Sequence, residues 1–204
     1  MSPSATTPPA DRPPFWWRCS IATGNSIQLT EILAGAGCLL LASSTRGSGM
    51  GRVTLMVAGF LLVYLGSHAI SHWAVGRALG LQFVGYGLRG TDHPESYPPG
   101  LRQLMARAPF FTAISRRRSR EEASRRTRAL YYAAGETSTT VFSIAAGLEA
   151  WARGIPDGGT LLMFALIWSA AATVATARTP RGDYAKAWRA LHDTGVNRQL
   201  KQTS

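Results

Sequence analysis

The sequence contains little charge, and negative charge is especially scarce. Charged residues occupy 16% of its 204 positions, whereas soluble domains carry about 25%. There are 11 acidic and 22 basic side chains, giving a net charge of +11. The apolar residues are concentrated in long runs, so the composition argues against an ordinary soluble domain and for a membrane protein.

Cysteine is scarce as well. Cys19 and Cys38 do not form a Cys-x-x-Cys pair. Their spacing argues against a disulfide framework and against a zinc site built from thiolates. Cys38 lies inside an apolar run, which is typical of a small hydrophobic residue.

Residues 1–26 lack the basic region followed by an apolar core that marks a secretory signal. Proline and small polar residues dominate the first 14 positions, so a disordered N-terminal segment is predicted. The aromatic run FWW at 15–17 suits the membrane–water interface. It suits equally well a small hydrophobic contact against the first helix.

Four apolar runs approach the length of a membrane-spanning helix, which takes about 20 mostly apolar residues. The predicted spans are 27–43, 53–79, 129–151 and 160–177. All four are rich in small residues, which allow helices to approach closely in lipid. We therefore predict an all-α, polytopic membrane domain over residues 27–191, followed by a tail at 192–204.

The distribution of basic residues predicts the orientation. The connection 81–128 holds ten arginines and four acidic residues, and the region after 177 holds six basic residues. The connection 44–52 holds only two arginines, and the connection 153–158 holds only one. Because basic connections stay in the cytoplasm, 81–128 and the C-terminus are predicted to be cytoplasmic. With four spans the N-terminus is cytoplasmic too.

The stretch RRRSREEASRRTR at 116–128 is the most basic part of the chain. It lies directly before the third predicted span, where such charge sets topology and attracts anionic lipid. It contains none of the interleaved aromatic residues that stack on bases. Membrane lipids, and not nucleic acid, are the expected partner.

Two histidines stand four positions apart near the end of the second predicted span. On a helix, His68 and His72 point the same way and lie close enough to share a metal ion. Zinc accepts imidazole nitrogen but needs at least one further protein ligand. The alternative is a pair of interfacial polar residues. Ionisable groups within spans usually face a functional interior, which favours the metal site.

The flanking sequence HAISHWAVGRALGLQFVGYGLRG resembles the zinc-site helix and following strand of the site-2 protease family of intramembrane metalloproteases. Two further stretches resemble family segments in the same order, over roughly residues 53–191. AAGETSTT at 133–140 is similar to an Ala-Gly-Pro-x-small segment, with Glu136 in place of the proline. ARTPRGDYAKAWRAL at 177–191 is similar to the segment that supplies an Asp-Gly pair, although here Gly182 precedes Asp183.

The resemblance implies a zinc ion held by His68, His72 and Asp183. It also implies a His-Glu-x-x-His motif, whose glutamate is the general base for the attacking water. Here Ala69 occupies that position. We therefore expect a zinc-binding protein that does not cleave peptides and instead binds or regulates a membrane partner, such as a single-span client protein. If the glutamate at position 69 is the only feature of the protease that is missing, the pocket around that position should still accept a carboxylate.

Two alternatives remain open at this level. The first is an active intramembrane protease with a displaced carboxylate, for which Glu136 is the best candidate and Glu31 and Glu149 are others. The second is an unrelated four-helix membrane protein that uses the histidines for haem or another metal. Haem fits less well, because its axial ligands approach from opposite faces of the ring.

Overall fold

A computed structural model of the protein describes residues 14–45, 49–91, 94 and 99–192. The described chain is mainly helical, with one small antiparallel sheet. Its elements, in chain order, are β1 (Trp17–Cys19), α1 (Ile21–Ser44), α2 (Gly49–Ala78), β2 (Phe83–Arg89), α3 (Pro99–Arg107), β3 (Phe110–Ser115), α4 (Arg117–Glu122), α5 (Arg125–Ala152), α6 (Gly158–Arg178) and α7 (Asp183–His192).

Three helices in the described part of the chain are long and apolar enough to cross a membrane, namely α1, α2 and α6. They contain the predicted first, second and fourth spans almost entirely, and α1 begins six residues earlier than predicted. Helix α5 contains the predicted third span. It is more polar than the other three and does not belong to this group, so a fourth crossing stays a prediction.

Side-chain caps define where two of the long helices begin. The hydroxyl of Ser20 accepts a hydrogen bond from the Thr23 amide at the start of α1. The hydroxyl of Ser124 accepts one from the Thr127 amide at the start of α5. Each cap satisfies an amide that has no partner within its helix.

Helices α1 and α2 pack through glycine. A methyl group on Gly35 would lie 2.7 Å from the Gly59 carbonyl, and one on Gly59 would lie 2.8 Å from the Gly35 carbonyl. Such backbone contact provides the dispersion energy that holds helices together in lipid. A buried apolar cluster drawn from α1, α2, α5 and α6, including Leu39, Phe60 and Ala165, continues the packing.

The connection 81–128 is more than a polar loop, which refines the all-α prediction. It contains β2 and β3, which pair with β1 in the order β1-β2-β3, all antiparallel. Tyr86 and Ala113 pack against α2 at Ala69. The sheet therefore covers one side of the helix that carries the two histidines.

The predicted N-terminal segment 1–26 differs from the structure in its second half. Strand β1 starts at Trp17 and α1 at Ile21, while positions 1–13 lie outside the described residues. Phe15 contacts β2, where its ring lies within 2.6 Å of a methyl group built on Gly87. The tail beyond His192 also lies outside the described residues.

Candidate metal centre

Three side chains from two distant parts of the sequence converge on one point. Oδ2 of Asp183 lies 3.1 Å from Nε2 of His72 and 3.4 Å from Nε2 of His68. Ligand atoms that share a tetrahedral zinc ion lie about 3.4 Å apart, given zinc–ligand bonds of about 2.0–2.2 Å. In the part of the chain that the structure describes, these three residues form the one His/Cys/Asp/Glu group close enough to hold a metal ion.

The helix geometry explains the histidine pair. His68 and His72 are one turn apart on α2, with ring centroids 4.9 Å apart and an edge-on arrangement. The side chain of His68 is 31% exposed, whereas that of His72 is 11% exposed. The centre is therefore closed at His72 and more open at His68.

The second nitrogen of His72 has a partner that suits a metal ligand. Nδ1 of His72 donates a hydrogen bond of 2.7 Å to the carbonyl oxygen of Tyr131 on α5. This bond requires a proton on Nδ1, so Nε2, which faces Asp183, is the nitrogen that a metal ion would meet. Metal-binding histidines commonly use such a carbonyl to fix their tautomer and orientation.

Asp183 is the first residue of α7, and both oxygens of its carboxyl group have neighbours that orient it. Oδ2 faces the histidines, and Oδ1 accepts a hydrogen bond of 2.9 Å from Lys186. Burial alone would raise the pKa of Asp183, but hydrogen bonds from His68 and His72 and the charge of Lys186 hold it well below its usual range. Asp183 is therefore a carboxylate, the form that binds a cation.

Gly182, which precedes Asp183, has its own packing role. A methyl group there would lie 2.1 Å from the Thr176 carbonyl oxygen. The tight turn between α6 and α7 brings the first residue of α7 to the histidines. The order Gly-Asp therefore fits this chain, although the resembled family has the reverse order.

Gly135 lets α5 approach the histidine pair. A methyl group on Gly135 would lie 2.2 Å from Nε2 of His72 and 2.8 Å from Cε1 of His68. Ser138 lies at the same contact, where its hydroxyl is 2.7 Å from the Gly135 carbonyl of its own helix and 3.1 Å from the Ser67 carbonyl of α2. The segment 133–140 therefore packs closely on the metal centre through its small residues.

Ala69 lies in an apolar cluster beneath the sheet. It is 1% exposed and packs with Tyr86 and Ala113, with Trp73 and Phe111 nearby. A longer side chain at this position has to displace that cluster. This packing argues against the expectation that a pocket at position 69 still accepts a carboxylate, which stays a prediction to be tested.

The three candidate carboxylates occupy different environments. Glu136 is 9% exposed and lies within electrostatic range of His68, His72 and Asp183. Glu31 lies on α1, with its Cβ close to Gly66 of α2. Glu149 pairs with Arg153 near the far end of α5. Glu136 is therefore the candidate base that the fold brings beside the centre.

Three groups that contact the histidines or Asp183 could hardly be identified from the sequence. The Tyr131 carbonyl is a backbone group, and nothing in a sequence marks it. Gly135 belongs to a segment identified by resemblance, but its contact with both histidines depends on the packing of α5 on α2. Lys186 stands three positions after Asp183 in α7, a spacing that does favour a contact within a helix.

No family model matches the chain, and neither a curated protein nor a solved structure gives a significant match. The chemistry of the centre is consequently argued from its geometry. Two imidazole nitrogens and one carboxylate oxygen form a donor set that a divalent cation accepts, and zinc sites use these ligand types.

Proposed function

We propose that this chain is a site-2-protease-like integral membrane protein that binds zinc through His68, His72 and Asp183 and does not hydrolyse peptides. The observation that carries the proposal is the convergence of these three side chains at 3.1 and 3.4 Å. These distances suit three atoms that share one metal ion. The hydrogen bond from His72 to the Tyr131 carbonyl, which fixes the tautomer of the ring, also supports the proposal.

The proposed ligands suit a zinc ion, and neighbouring groups hold two of them in place. His72 is oriented by the Tyr131 carbonyl, and Asp183 is oriented by Lys186. Zinc would supply Lewis acidity, which lowers the pKa of water to about 7 in catalytic sites. Binding would also tie α2 to α7 and so stabilise the folded chain.

The absence of proteolysis follows from position 69. A placed general base contributes about 10²–10⁴-fold to the rate of a proton-transfer step. Ala69 has no titratable group, and its surroundings are apolar. A centre that retains its ligands but not its base suits a binding or regulatory role, in which a single-span membrane protein is held at the exposed faces of the helices.

A second candidate function is favoured by one observation. Among the three candidate carboxylates, Glu136 is the one buried beside His68, His72 and Asp183, which supports it as a displaced base. In that case the chain would be an active intramembrane metalloprotease. The haem alternative lacks such support, because the 4.9 Å between the two imidazole centroids leaves no room for a porphyrin between them.

A cleavage assay separates the two candidates. Purified chain is loaded with zinc and incubated with a transmembrane peptide in detergent, beside the His72→Ala and Glu136→Gln variants. We expect no zinc-dependent cleavage from any of them. Cleavage by the wild type that both substitutions abolish would replace the binding role with the protease role.

A further inference from the structure

A second concave region lies beside the part of the chain that joins α5 to α2, the helix with the two histidines. An open and mainly polar cavity of about 630 Å³ lies where α2 ends and α5 begins. Its walls come from the turn after α2, from α4 with the residue before it, and from the start of α5. The side chains that matter here are Leu79, Gln82, Arg116, Arg118, Ser124 and Thr127.

The charge around this cavity is positive and incompletely balanced. Segment 116–128 has seven arginines and two glutamates. Glu121 accepts a hydrogen bond from Arg117, and Glu122 accepts one from Arg118. Both carboxylates are therefore engaged by other arginines, and neither of these bonds neutralises the exposed Arg116 at the cavity wall.

The position of the cavity limits what enters it. Its wall at Leu79 lies one residue beyond Ala78, where the apolar helix α2 ends. The end of a membrane-spanning helix lies at the level of the lipid headgroups. Basic pockets at this level, next to spanning helices, bind phosphate-bearing headgroups, and arginine matches phosphate with two parallel hydrogen bonds.

We propose that this cavity binds the phosphate group of an anionic phospholipid headgroup, with Arg116 as the principal cation. Glu122, which also lines the cavity, stays engaged with Arg118 at 2.7 Å. Ser124 and Thr127 lie on the same wall, where the Ser124 hydroxyl donates to that of Thr127 and leaves the Thr127 hydrogen for a ligand. This site is separate from the metal centre and does not depend on the proposed function.

The test compares two neighbouring arginines. Wild type, Arg116→Ala and Arg117→Ala are purified in a neutral detergent, and each is titrated with phosphatidylglycerol, phosphatidylcholine or inorganic phosphate. Thermal unfolding and native mass spectrometry report binding. Arg117 is the matched control, because its loss removes the same charge from the adjacent position without removing a cavity residue.

Phosphatidylglycerol should stabilise wild type and Arg117→Ala, and should bind Arg116→Ala about tenfold more weakly. Phosphatidylcholine and inorganic phosphate should have little effect. Equal weakening in both arginine variants would show attraction by net charge alone and overturn the site. Binding of inorganic phosphate that depends on Arg116 would overturn the lipid assignment.

Two further variants keep the outcome decisive. Arg116→Gln retains a polar side chain and replaces Arg116→Ala if the alanine variant does not fold. His72→Ala, which lacks a metal ligand, should retain the response to phosphatidylglycerol. Loss of that response in His72→Ala would contradict the independence of the two sites.

Discussion

At the scale of single residues, the candidate metal centre depends on two positions with small side chains. Gly135 allows α5 to touch both imidazole rings, and Ala69 leaves the sheet packed on α2. The spacing of His68 and His72 marked them as candidate ligands before the fold was known. The small residues could not be assigned a role from the sequence, because that role depends on which helix faces them.

Gly135→Ala should abolish metal binding. The new methyl group would lie 2.2 Å from Nε2 of His72, so either the ring or α5 has to move, at a cost of about 1–3 kcal/mol. Zinc content and thermal unfolding measure the two effects. Gly37→Ala is the control, since nothing lies within 4 Å of a methyl group there; an equal loss of zinc in both variants would contradict the packing argument.

Ala69→Glu should destabilise the protein without creating protease activity. Its carboxylate would enter the cluster formed by Tyr86 and Ala113, and burying an unpaired polar group costs about 2 kcal/mol or more. The measurement is the melting temperature together with peptide cleavage. Ala78→Glu, at an exposed position of the same helix, is the control. Cleavage gained by Ala69→Glu with unchanged stability would show that position 69 faces the centre after all.

At the scale of elements, the apolar runs located the long helices well. Hydrophobicity marks a helix wherever all its faces meet lipid or other helices, which is why α1, α2 and α6 were found close to their bounds. The strands β1 and β3 were missed. They have three and six residues, and their pairing joins positions far apart in the chain, which a local pattern does not reveal.

The turn between α6 and α7 sets the position of Asp183, the proposed third ligand. Gly182→Ala would place a methyl group 2.1 Å from the Thr176 carbonyl and should displace the start of α7, including Asp183. We expect a clear fall in zinc affinity while α1 and α2 stay folded, measured by zinc titration and circular dichroism. Gly159→Ala, where the nearest atom lies at an ordinary 3.6 Å, should bind zinc normally; unchanged affinity in both variants would argue against this role.

At the scale of the whole molecule, the fold brings Asp183 to the histidines at one end of the helical bundle. Arg52 and Asp157 form an ion pair at the other end, 3.7 Å apart. The arginine-rich segment 116–128 precedes α5 on the same side as the metal centre. The sequence predicts that this side is cytoplasmic.

Cysteine labelling tests that orientation. Leu104→Cys and Arg153→Cys are each introduced into a chain whose Cys19 and Cys38 are replaced by serine. Both positions are exposed. In intact cells an impermeant thiol reagent should label position 153 and not position 104, and permeabilised cells should show both. Labelling of position 104 in intact cells would reverse the predicted orientation.

The most direct test of the account is the zinc content of the purified chain. Wild type, His72→Ala, Asp183→Asn and the distant control Asp157→Asn are loaded with zinc, dialysed and analysed for bound metal. The account predicts about one zinc per chain in wild type and Asp157→Asn, because three protein ligands and a water molecule together satisfy four-coordinate zinc. It predicts strong loss in the other two. A metal-free wild type, or an Asp183→Asn variant with its full complement of zinc, would contradict it.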